Sequence, residues 1–326
     1  MSNFWQQFTK PILALAPMCG VTDLPFRLIC KELGADLVYS EMIMVQSLAR
    51  RNPSALRLAE ISPDEQPVII QLGGREPEHF RTSARMVKEI GADGIDINFG
   101  CPAKKIAGNG SGVALLRDLQ LARDIIEATL EGADGLPLSI KTRTSIKLPG
   151  QNVSQSSLDL LDFIKDLPIS AVMIHGRSFE SPWSEEIDHD YIKEVKRTFK
   201  GVVLANGGIY EPEQAQEVLE LTGADGVGIG HGVYGRPWIF DEIRSYIETG
   251  HYDKKSWSYR KAIALRHLSL CQSIKGDKGL PEFKKQLLWY IKGLPGASAY
   301  REKMSQINNL ADFENALNEF PADSVQ

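Results

Sequence analysis

The stretch "VVLANGGIYEPEQAQEVLELTGADGVGIG" (residues 202–230) contains two apolar runs separated by a segment of amphipathic spacing. The runs at 202–206 and 226–230 have the length and composition of buried strands. The segment at 211–222 has helical periodicity, opens with Glu and Pro, which suit a first helical turn, and is followed by Gly223, which suits a C-terminal cap. The stretch therefore predicts a strand–helix–strand unit.

The same order of elements recurs throughout the first 240 residues. Further strands are predicted at 12–16, 37–41, 68–72, 94–98, 138–142 and 171–175, and the clearest further helices at 76–91, 113–131 and 189–199. Eight consecutive βα units of even length favour a (β/α)8 TIM barrel over a doubly wound sheet.

The pattern changes after "GRPWIF" (235–240). From there the chain has only amphipathic helical runs, at 256–274, 281–293 and 297–319. We therefore predict a TIM barrel domain at 1–242 followed by a small all-α domain at 243–326.

Composition narrows the class of protein. No run of about 18 apolar residues is present, and "MSNFWQQFTK" (1–10) lacks the apolar core of a secretory signal, so we expect a cytoplasmic protein without a membrane span. The four cysteines (Cys19, Cys30, Cys101 and Cys271) are far apart and form no CxxC pair. Neither a disulfide framework nor a metal site is expected.

Charge is unevenly distributed along the chain. Residues 254–303 carry twelve Lys/Arg against three Asp/Glu, a balance of +9, whereas residues 1–240 have a balance of −7. A basic segment on an acidic protein indicates a polyanionic partner for that segment. A set of solvated helix faces would have the same composition.

In a TIM barrel the chemistry lies at the C-terminal ends of the strands. "ANGGI" (205–209) and "GIGHG" (228–232) place glycines after the last two strands, where backbone N–H groups commonly hold a phosphate, either of FMN or of a sugar phosphate. Two tight turns that bind no ligand would have the same glycines. Lys141 and Gln71 end two other strands and would project into the pocket, where a lysine can stabilise a reduced flavin or form a salt bridge.

Cys101 follows the fourth strand, between Gly100 and Pro102 and close to Lys104 and Lys105. An accessible, electropositive position suits a reactive thiol rather than a structural one. No histidine base lies near in sequence, and a thiol is mostly protonated at neutral pH, so a general acid is favoured over a nucleophile. "GNGSG" (108–112) lies ten residues beyond the strand, too far for a dinucleotide fingerprint, and is interpreted as a flexible segment.

An ordered set of motifs resembles the tRNA-dihydrouridine synthases, most of all their bacterial branch. The motifs are "APMCGVTDLPFR" (16–27), "QLGG" (71–74), "DINFGCPAKKI" (96–106), "GSGVALL" (110–116), "IKTR" (140–143), "IHGR" (174–177), "ANGGI" (205–209) and "GRPWIF" (235–240). The resemblance covers the barrel and continues weakly into "KKQLLWYI" (284–291).

The resemblance implies reduction of the C5=C6 bond of a tRNA uridine, in the D-loop, with FMN as cofactor and NADPH as reductant. By position, it implies that Ala16, Pro17 and Met18 lie along the flavin ring and that Gln71 and Lys141 bond its polar edge, while the FMN phosphate is held by Asn206, Gly207, Gly208, Gly230 and His231. His175 and Arg177 would lie near flavin and substrate. Asn98 would contact the uracil, Cys101 would donate the proton, and Lys285 would lie on the tRNA face of the helical tail.

Three positions depart from the family pattern. His231 stands where the family usually has arginine, Gly208 where it often has Asp or Glu, and Cys19 where it has a small or acidic residue. A monomer is expected. The alternative function is an FMN-dependent reductase of a free small molecule, of the ene-reductase or dihydroorotate type, which leaves the basic tail unexplained.

Overall fold

The computed structural model describes residues 4–182, 184–292, 297–307 and 309–320. Eight strands form one parallel sheet: Ile12–Leu15 (β1), Leu37–Tyr39 (β2), Val68–Gly73 (β3), Gly94–Phe99 (β4), Leu138–Arg143 (β5), Ile169–His175 (β6), Val202–Asn206 (β7) and Gly226–Ile229 (β8). Each pairs with its neighbours in chain order, and β8 pairs with β1, Gly226 opposite Ile12, so the sheet is closed. The predicted TIM barrel is confirmed.

Helices connect the strands and continue beyond the last one. They are Leu24–Glu32 (α1), Val45–Ala49 (α2), Pro53–Leu58 (α3), Pro77–Ile90 (α4), Lys104–Gly108 (α5), Leu119–Ala133 (α6), Ser157–Phe163 (α7), His189–Thr198 (α8), Pro212–Thr222 (α9), Ile239–Thr249 (α10), Trp257–Lys275 (α11), Gly279–Tyr290 (α12), Ala297–Gln306 (α13) and Leu310–Asn318 (α14). Short 3₁₀ turns lie at Phe4–Gln7, Pro63–Glu65, Gly112–Arg117, His231–Val233 and Gly276–Lys278.

Local signals in the sequence account for several helix ends. Pro212 lies in the first turn of α9, where its missing N–H costs nothing, and Gly223 ends that helix in the left-handed region at φ 65°. The predicted helix 113–131 instead begins at residue 119, because the Asp118 side chain accepts the N–H of Leu121 and caps α6 there. Gly112–Arg117 ahead of it form a 3₁₀ turn.

Alternation along the strands separates two apolar layers. Inward-facing residues such as Ala14, Tyr39 and Ile69 fill the barrel, whereas outward-facing ones such as Ile95 and Ile97 pack under the helices. On β4 the inward positions of the upper half are polar, Asp96 and Asn98. The upper end of the barrel therefore supplies polar side chains to a site rather than to an apolar core.

The C-terminal helices have an apolar core of their own. Leu268 and Cys271 of α11 pack with Phe283 and Leu287 of α12 and Phe313 of α14. The predicted run at 297–319 is two helices, and the Asn309 side chain caps the second by accepting the N–H of Asp312.

The predicted division of the chain at 242/243 stays a prediction. Helix α10 runs across that position, and its Phe240 and Ile243 belong to the core of the barrel. Trp257, which begins α11, packs against the core of the C-terminal helices.

Two further short strand pairs extend the barrel. Ile43–Met44 pair with the end of β3, and Ser145–Lys147 form a hairpin with Ser154–Ser156 beyond β5. In the part of the chain that the structure describes, no helix combines the length and apolarity needed to cross a bilayer.

Candidate active site

A cavity of about 290 Å³ opens at the C-terminal ends of the barrel strands. It brings together all fourteen residues that the sequence analysis assigned to a pocket: Ala16, Pro17, Met18, Gln71, Asn98, Cys101, Lys141, His175, Arg177, Asn206, Gly207, Gly208, Gly230 and His231. They come from seven different strands or the loops that follow them, so only closure of the barrel makes them neighbours.

One wall of the cavity is apolar and follows β1. The Ala16 N–H donates to the Ile229 carbonyl at 2.9 Å, which continues the β1–β8 ladder past the last strand residue. The Met18 carbonyl then accepts the N–H groups of Val21 and Thr22, both at 3.1 Å. These bonds turn the chain sharply and hold Pro17 and Met18 against the cavity.

The opposite wall carries an amine. Lys141 Nζ on β5 donates to Asn206 Oδ1 on β7 at 3.0 Å, and Asn206 Nδ2 donates to the Gly228 carbonyl at 2.7 Å. Burial, with help from the charge of Arg143, lowers the pKa of Lys141 to about 8, and Asp96 opposes that shift. Lys141 is therefore mostly protonated at pH 7.

A buried chain of polar groups runs from the barrel interior to the Cys101 loop. Ser139 Oγ and Gln71 Nε2 donate to the two oxygens of Asp96, at 2.7 and 2.8 Å. Gln71 Oε1 in turn accepts from Asn98 Nδ2 at 2.9 Å. Burial raises the pKa of Asp96 to about 6, although the bonds from Gln71 and Ser139 and the charge of Lys141 oppose it, so the carboxyl is mostly ionised at pH 7.

Cys101 is half-buried at the rim of the cavity. Its N–H donates to Asn98 Oδ1 at 2.8 Å, and its carbonyl accepts the N–H of Val113 at 3.4 Å. Gly112, at φ 62°, passes so close that a Cβ there would lie 2.9 Å from the Cys101 carbonyl oxygen. The glycine at the end of "GNGSG" is thus required by close packing against the cysteine.

His175 is the last residue of β6, and Arg177 lies in the loop that follows it. Burial, together with the charges of Lys141 and Arg143, lowers the pKa of His175 far below its usual range, so the ring is neutral at pH 7. Arg177 Nε donates to the Glu185 carbonyl at 2.6 Å, which places its guanidinium over the loop after β6.

The glycine turns after β7 and β8 form the remaining side of the cavity. Gly207 and Gly208 have φ of 112° and 73°, and a Cβ on Gly207 would lie 2.6 Å from Ile187 Cδ1. Only glycine fits there without strain, which leaves the backbone exposed to a ligand. The His231 ring packs against that of Tyr234, with centroids 5.0 Å apart, and burial lowers the pKa of His231.

Lys285 is the one assigned residue that does not line the cavity. It is exposed on α12, next to buried Gln286, whose Nε2 donates to the Val21 carbonyl at 3.4 Å. From the same helix the Trp289 ring stacks on Tyr234 at 4.1 Å, and Tyr234 lines the cavity. Helix α12 therefore packs directly beside the cavity.

Several cavity residues were not singled out from the sequence. Arg143 Nε donates to the Gly100 carbonyl at 3.1 Å and its Nη1 to the Ser178 carbonyl at 2.9 Å, joining the loops after β4 and β6. Arg143 could have been predicted from the sequence, because it lies two residues after Lys141 and therefore on the same face of β5. Met42, Tyr210 and Tyr234 also line the cavity, as does Cys19, which is exposed and is one of the three departures from the family pattern.

A family model described as "Dihydrouridine synthase (Dus)" matches residues 14–325. The chain belongs to the dihydrouridine synthase family. Among curated relatives, the tRNA-dihydrouridine synthase B of Pseudomonas syringae pv. tomato is 39% identical over 93% of this chain and 88% of its own length. That of Pseudomonas aeruginosa is 37% identical over 92% and 89%, and a probable tRNA-dihydrouridine synthase of Rickettsia conorii 35% identical over 94% and 92%.

Solved structures support the fold of this dihydrouridine synthase family member. A 2-naphthoyl-CoA reductase aligns with a TM-score of 0.57 at 12% identity over 72% of this chain and 50% of its own. The histamine dehydrogenase of Rhizobium sp. 4-9 aligns with a TM-score of 0.55 at 12% identity over 79% and 49%. At such identities the likeness is one of architecture, and it agrees with the closed barrel.

Proposed function

We propose that this family member is a tRNA-dihydrouridine synthase, which uses NADPH and FMN to reduce the C5=C6 bond of a uridine in the D-loop of tRNA to 5,6-dihydrouridine. One observation carries the proposal. The Cys101 thiol, the Lys141 ammonium and the glycine turns after β7 and β8 line a single cavity. An acid, a cation and a phosphate cradle are what flavin-dependent reduction of a base requires.

The residues present fit FMN. The cavity has an apolar wall at Ala16–Met18 for a flat ring, and amide and ammonium groups at Gln71 and Lys141 for its polar edge. The glycines after β7 have positive φ, and a Cβ would meet Ile187, so their backbone stays open to a phosphate. Asn206, Gly207, Gly208, Gly230 and His231 would hold that phosphate, and His175 would lie near the flavin.

FMN held by these residues and reduced by NADPH would supply a hydride for C6 of the uracil. The chain supplies the proton: the Cys101 thiol, held at the rim of the cavity, delivers it to C5 from the other side of the ring. Lys141 is mostly protonated and stabilises negative charge at the polar edge of the site. His175, neutral at pH 7, and Arg177 orient the base as hydrogen-bond donors, with Asn98 beside them.

A base in a tRNA must leave its stack to reach such a cavity. The basic segment 254–303 would bind phosphates of the tRNA, with Lys285 on the contacting face. Helix α12, which carries Lys285, packs beside the cavity through the stack of Trp289 on Tyr234. We further propose a monomeric, cytoplasmic enzyme with a catalytic domain at 1–242 and a tRNA-binding domain at 243–326.

The test measures dihydrouridine by mass spectrometry in unmodified tRNA after incubation with the purified protein, FMN and NADPH. We expect product with the wild type. In Cys101→Ala the rate of product formation should fall about a hundredfold or more, which is the usual contribution of a general acid to the rate. The variant should retain FMN and its reduction by NADPH.

Two outcomes would contradict this. Absence of product from any tRNA, with flavin bound and reduced, would favour the small-molecule reductase. Full activity of Cys101→Ala would remove the thiol from the reaction and leave the proton to another group or to water.

A further inference from the structure

The hydrogen bonds between Asp96 and the Cys101 loop all run in one direction. Gln71 donates to Asp96, Asn98 donates to Gln71, and the backbone N–H groups of Gly100 and Cys101 donate to Asn98 Oδ1, at 3.1 and 2.8 Å. All three side chains are at least nine-tenths buried. Burial limits the access of solvent to these bonds, which makes a reversed amide costly.

The two ends of this chain dictate its direction. An ionised carboxylate only accepts, so Asp96 requires the NH₂ group of Gln71 to face it. The backbone N–H groups only donate, so they require the oxygen of Asn98. Each amide could be reversed in isolation, but the pair cannot be reversed while both ends stay as they are.

We propose that Asp96 is a positioning residue for Cys101: acting through Gln71 and Asn98, its carboxylate sets the orientation of the Asn98 amide that holds the proton-donor loop. The inference rests on the proposed function, because it assigns the loop a proton to deliver. Arg143, which donates to the Gly100 carbonyl, holds the other side of the same turn. Asp96 itself does not line the cavity.

The direction can be reversed by design. In Asn98→Asp, a new carboxylate oxygen faces Gln71 Oε1 while Asp96 still holds the NH₂ group of Gln71, so two acceptors oppose each other. In the double variant Asp96→Asn/Asn98→Asp, the new Asn donates to Gln71, Gln71 donates to the new Asp, and the new Asp accepts from the loop. The two bonds made by residue 71 are thus restored with the opposite sense, and those from the loop keep theirs.

The experiment measures kcat for dihydrouridine formation and the rate of Cys101 alkylation by iodoacetamide, with Cys19 followed in the same digest as a reference. We expect Asn98→Asp to lower kcat about tenfold or more and to alter the Cys101 rate. We expect Asp96→Asn to cost about threefold or less, because an Asn there can still accept from Gln71. The double variant should recover the Cys101 rate to within a few-fold of the wild type. Its kcat should rise well above that of Asn98→Asp but stay below the wild-type value, because Asn98 is also assigned to the uracil.

Two controls separate the relay from simple charge repulsion between residues 96 and 98. The rescue should vanish in a Gln71→Met background, where no amide connects them. Asp225→Asn, which removes a buried carboxylate at the other end of the barrel, should not rescue Asn98→Asp. Should Asn98→Asp fail to fold, Gln71→Glu provides a second cycle, since Asp96→Asn should rescue it in the same way.

Rescue that persists without Gln71, or a double variant no better than the worse single one, would overturn the inference. If the wild type forms no dihydrouridine, the proposed function fails. The alkylation rates then still decide whether residues 96 and 98 are coupled through Gln71.

Discussion

Lys141 Nζ lies 3.0 Å from Asn206 Oδ1, although their strands, β5 and β7, are separated by β6. The bond joins two inward-facing side chains past β6 at the mouth of the barrel. The bond places the Lys141 cation next to the turn that begins at Gly207. Lys141 therefore lies close both to the proposed position of the flavin edge and to the turn proposed to hold the phosphate.

Replacing Lys141 should affect flavin reduction before it affects folding. We expect Lys141→Met to slow reduction of bound FMN by NADPH about a hundredfold, because a positive charge no longer faces the developing negative charge. Lys141→Arg, which keeps the charge, is the matched control and should lose less. Flavin absorbance in a stopped-flow experiment measures the rate, and equal rates in the Met variant and wild type would contradict the role.

The pH dependence of the same step follows from the pKa of Lys141, which burial lowers to about 8. The charged form is present below that value and is lost as pH rises through it. We therefore expect the wild-type rate of flavin reduction to fall above pH 8, and the fall to be absent in Lys141→Met. A rate that rises through this range in both proteins would exclude the lysine as its cause.

We expect His231 to bind the FMN phosphate only weakly at neutral pH. Burial lowers its pKa, so the ring is uncharged at pH 7. His231→Arg should tighten FMN binding about tenfold, because a charge-assisted bond replaces a neutral one. Fluorescence titration measures the affinity, with His231→Gln as the neutral control; an arginine variant that binds no more tightly would place the phosphate elsewhere.

Lys285 should contribute to tRNA affinity and not to the chemistry within the cavity. Lys285→Ala is expected to weaken tRNA binding and to lower the slope of log K against log salt by about one. FMN content should not change. Lys200, exposed at the other end of the barrel ahead of β7, is the matched control, and equal effects of Lys285→Ala and Lys200→Ala would argue against a tRNA face on α12.

The stability of the barrel should depend strongly on one buried ion pair. Arg27 Nε and Nη2 bond both oxygens of Glu65, at 2.6 and 3.0 Å, and both side chains are inaccessible to solvent. Glu65→Gln leaves the guanidinium without its counter-charge and should lower the free energy of unfolding by about 3 kcal/mol. Asp162→Asn, which breaks an exposed pair with Lys165, should cost under about 1 kcal/mol in the same urea titration.

Much of the fold follows from local pattern. Short apolar runs that end in polar residues or glycines, alternating with amphipathic segments, are enough to predict eight strands, because parallel strands buried on both faces leave that signature. The ends of the helices were harder to predict from the sequence. The start of α6 depends on the Asp118 cap, and the break before α14 depends on the Asn309 cap, which periodicity does not show.

The set of cavity residues was likewise predictable, because in a barrel every strand contributes its C-terminal end to one place. Position along a strand identified Gln71 and Lys141 before any contact was known, and the family resemblance added Asn98 and Asn206. Lys285 lies outside this rule, since nothing in the strand pattern says which face a later helix presents.

Strand order and motif order were enough to predict which residues meet at the mouth of the barrel and which family the chain resembles. The tertiary structure decided how those residues are connected: that Asn98 orients the Cys101 loop, that Asp96 lies behind Gln71, and that Arg143 ties the loops after β4 and β6. The reason is physical. Strand periodicity sets the direction of a side chain, whereas hydrogen bonds between distant strands depend on register and on sub-ångström spacing that only the closed barrel establishes.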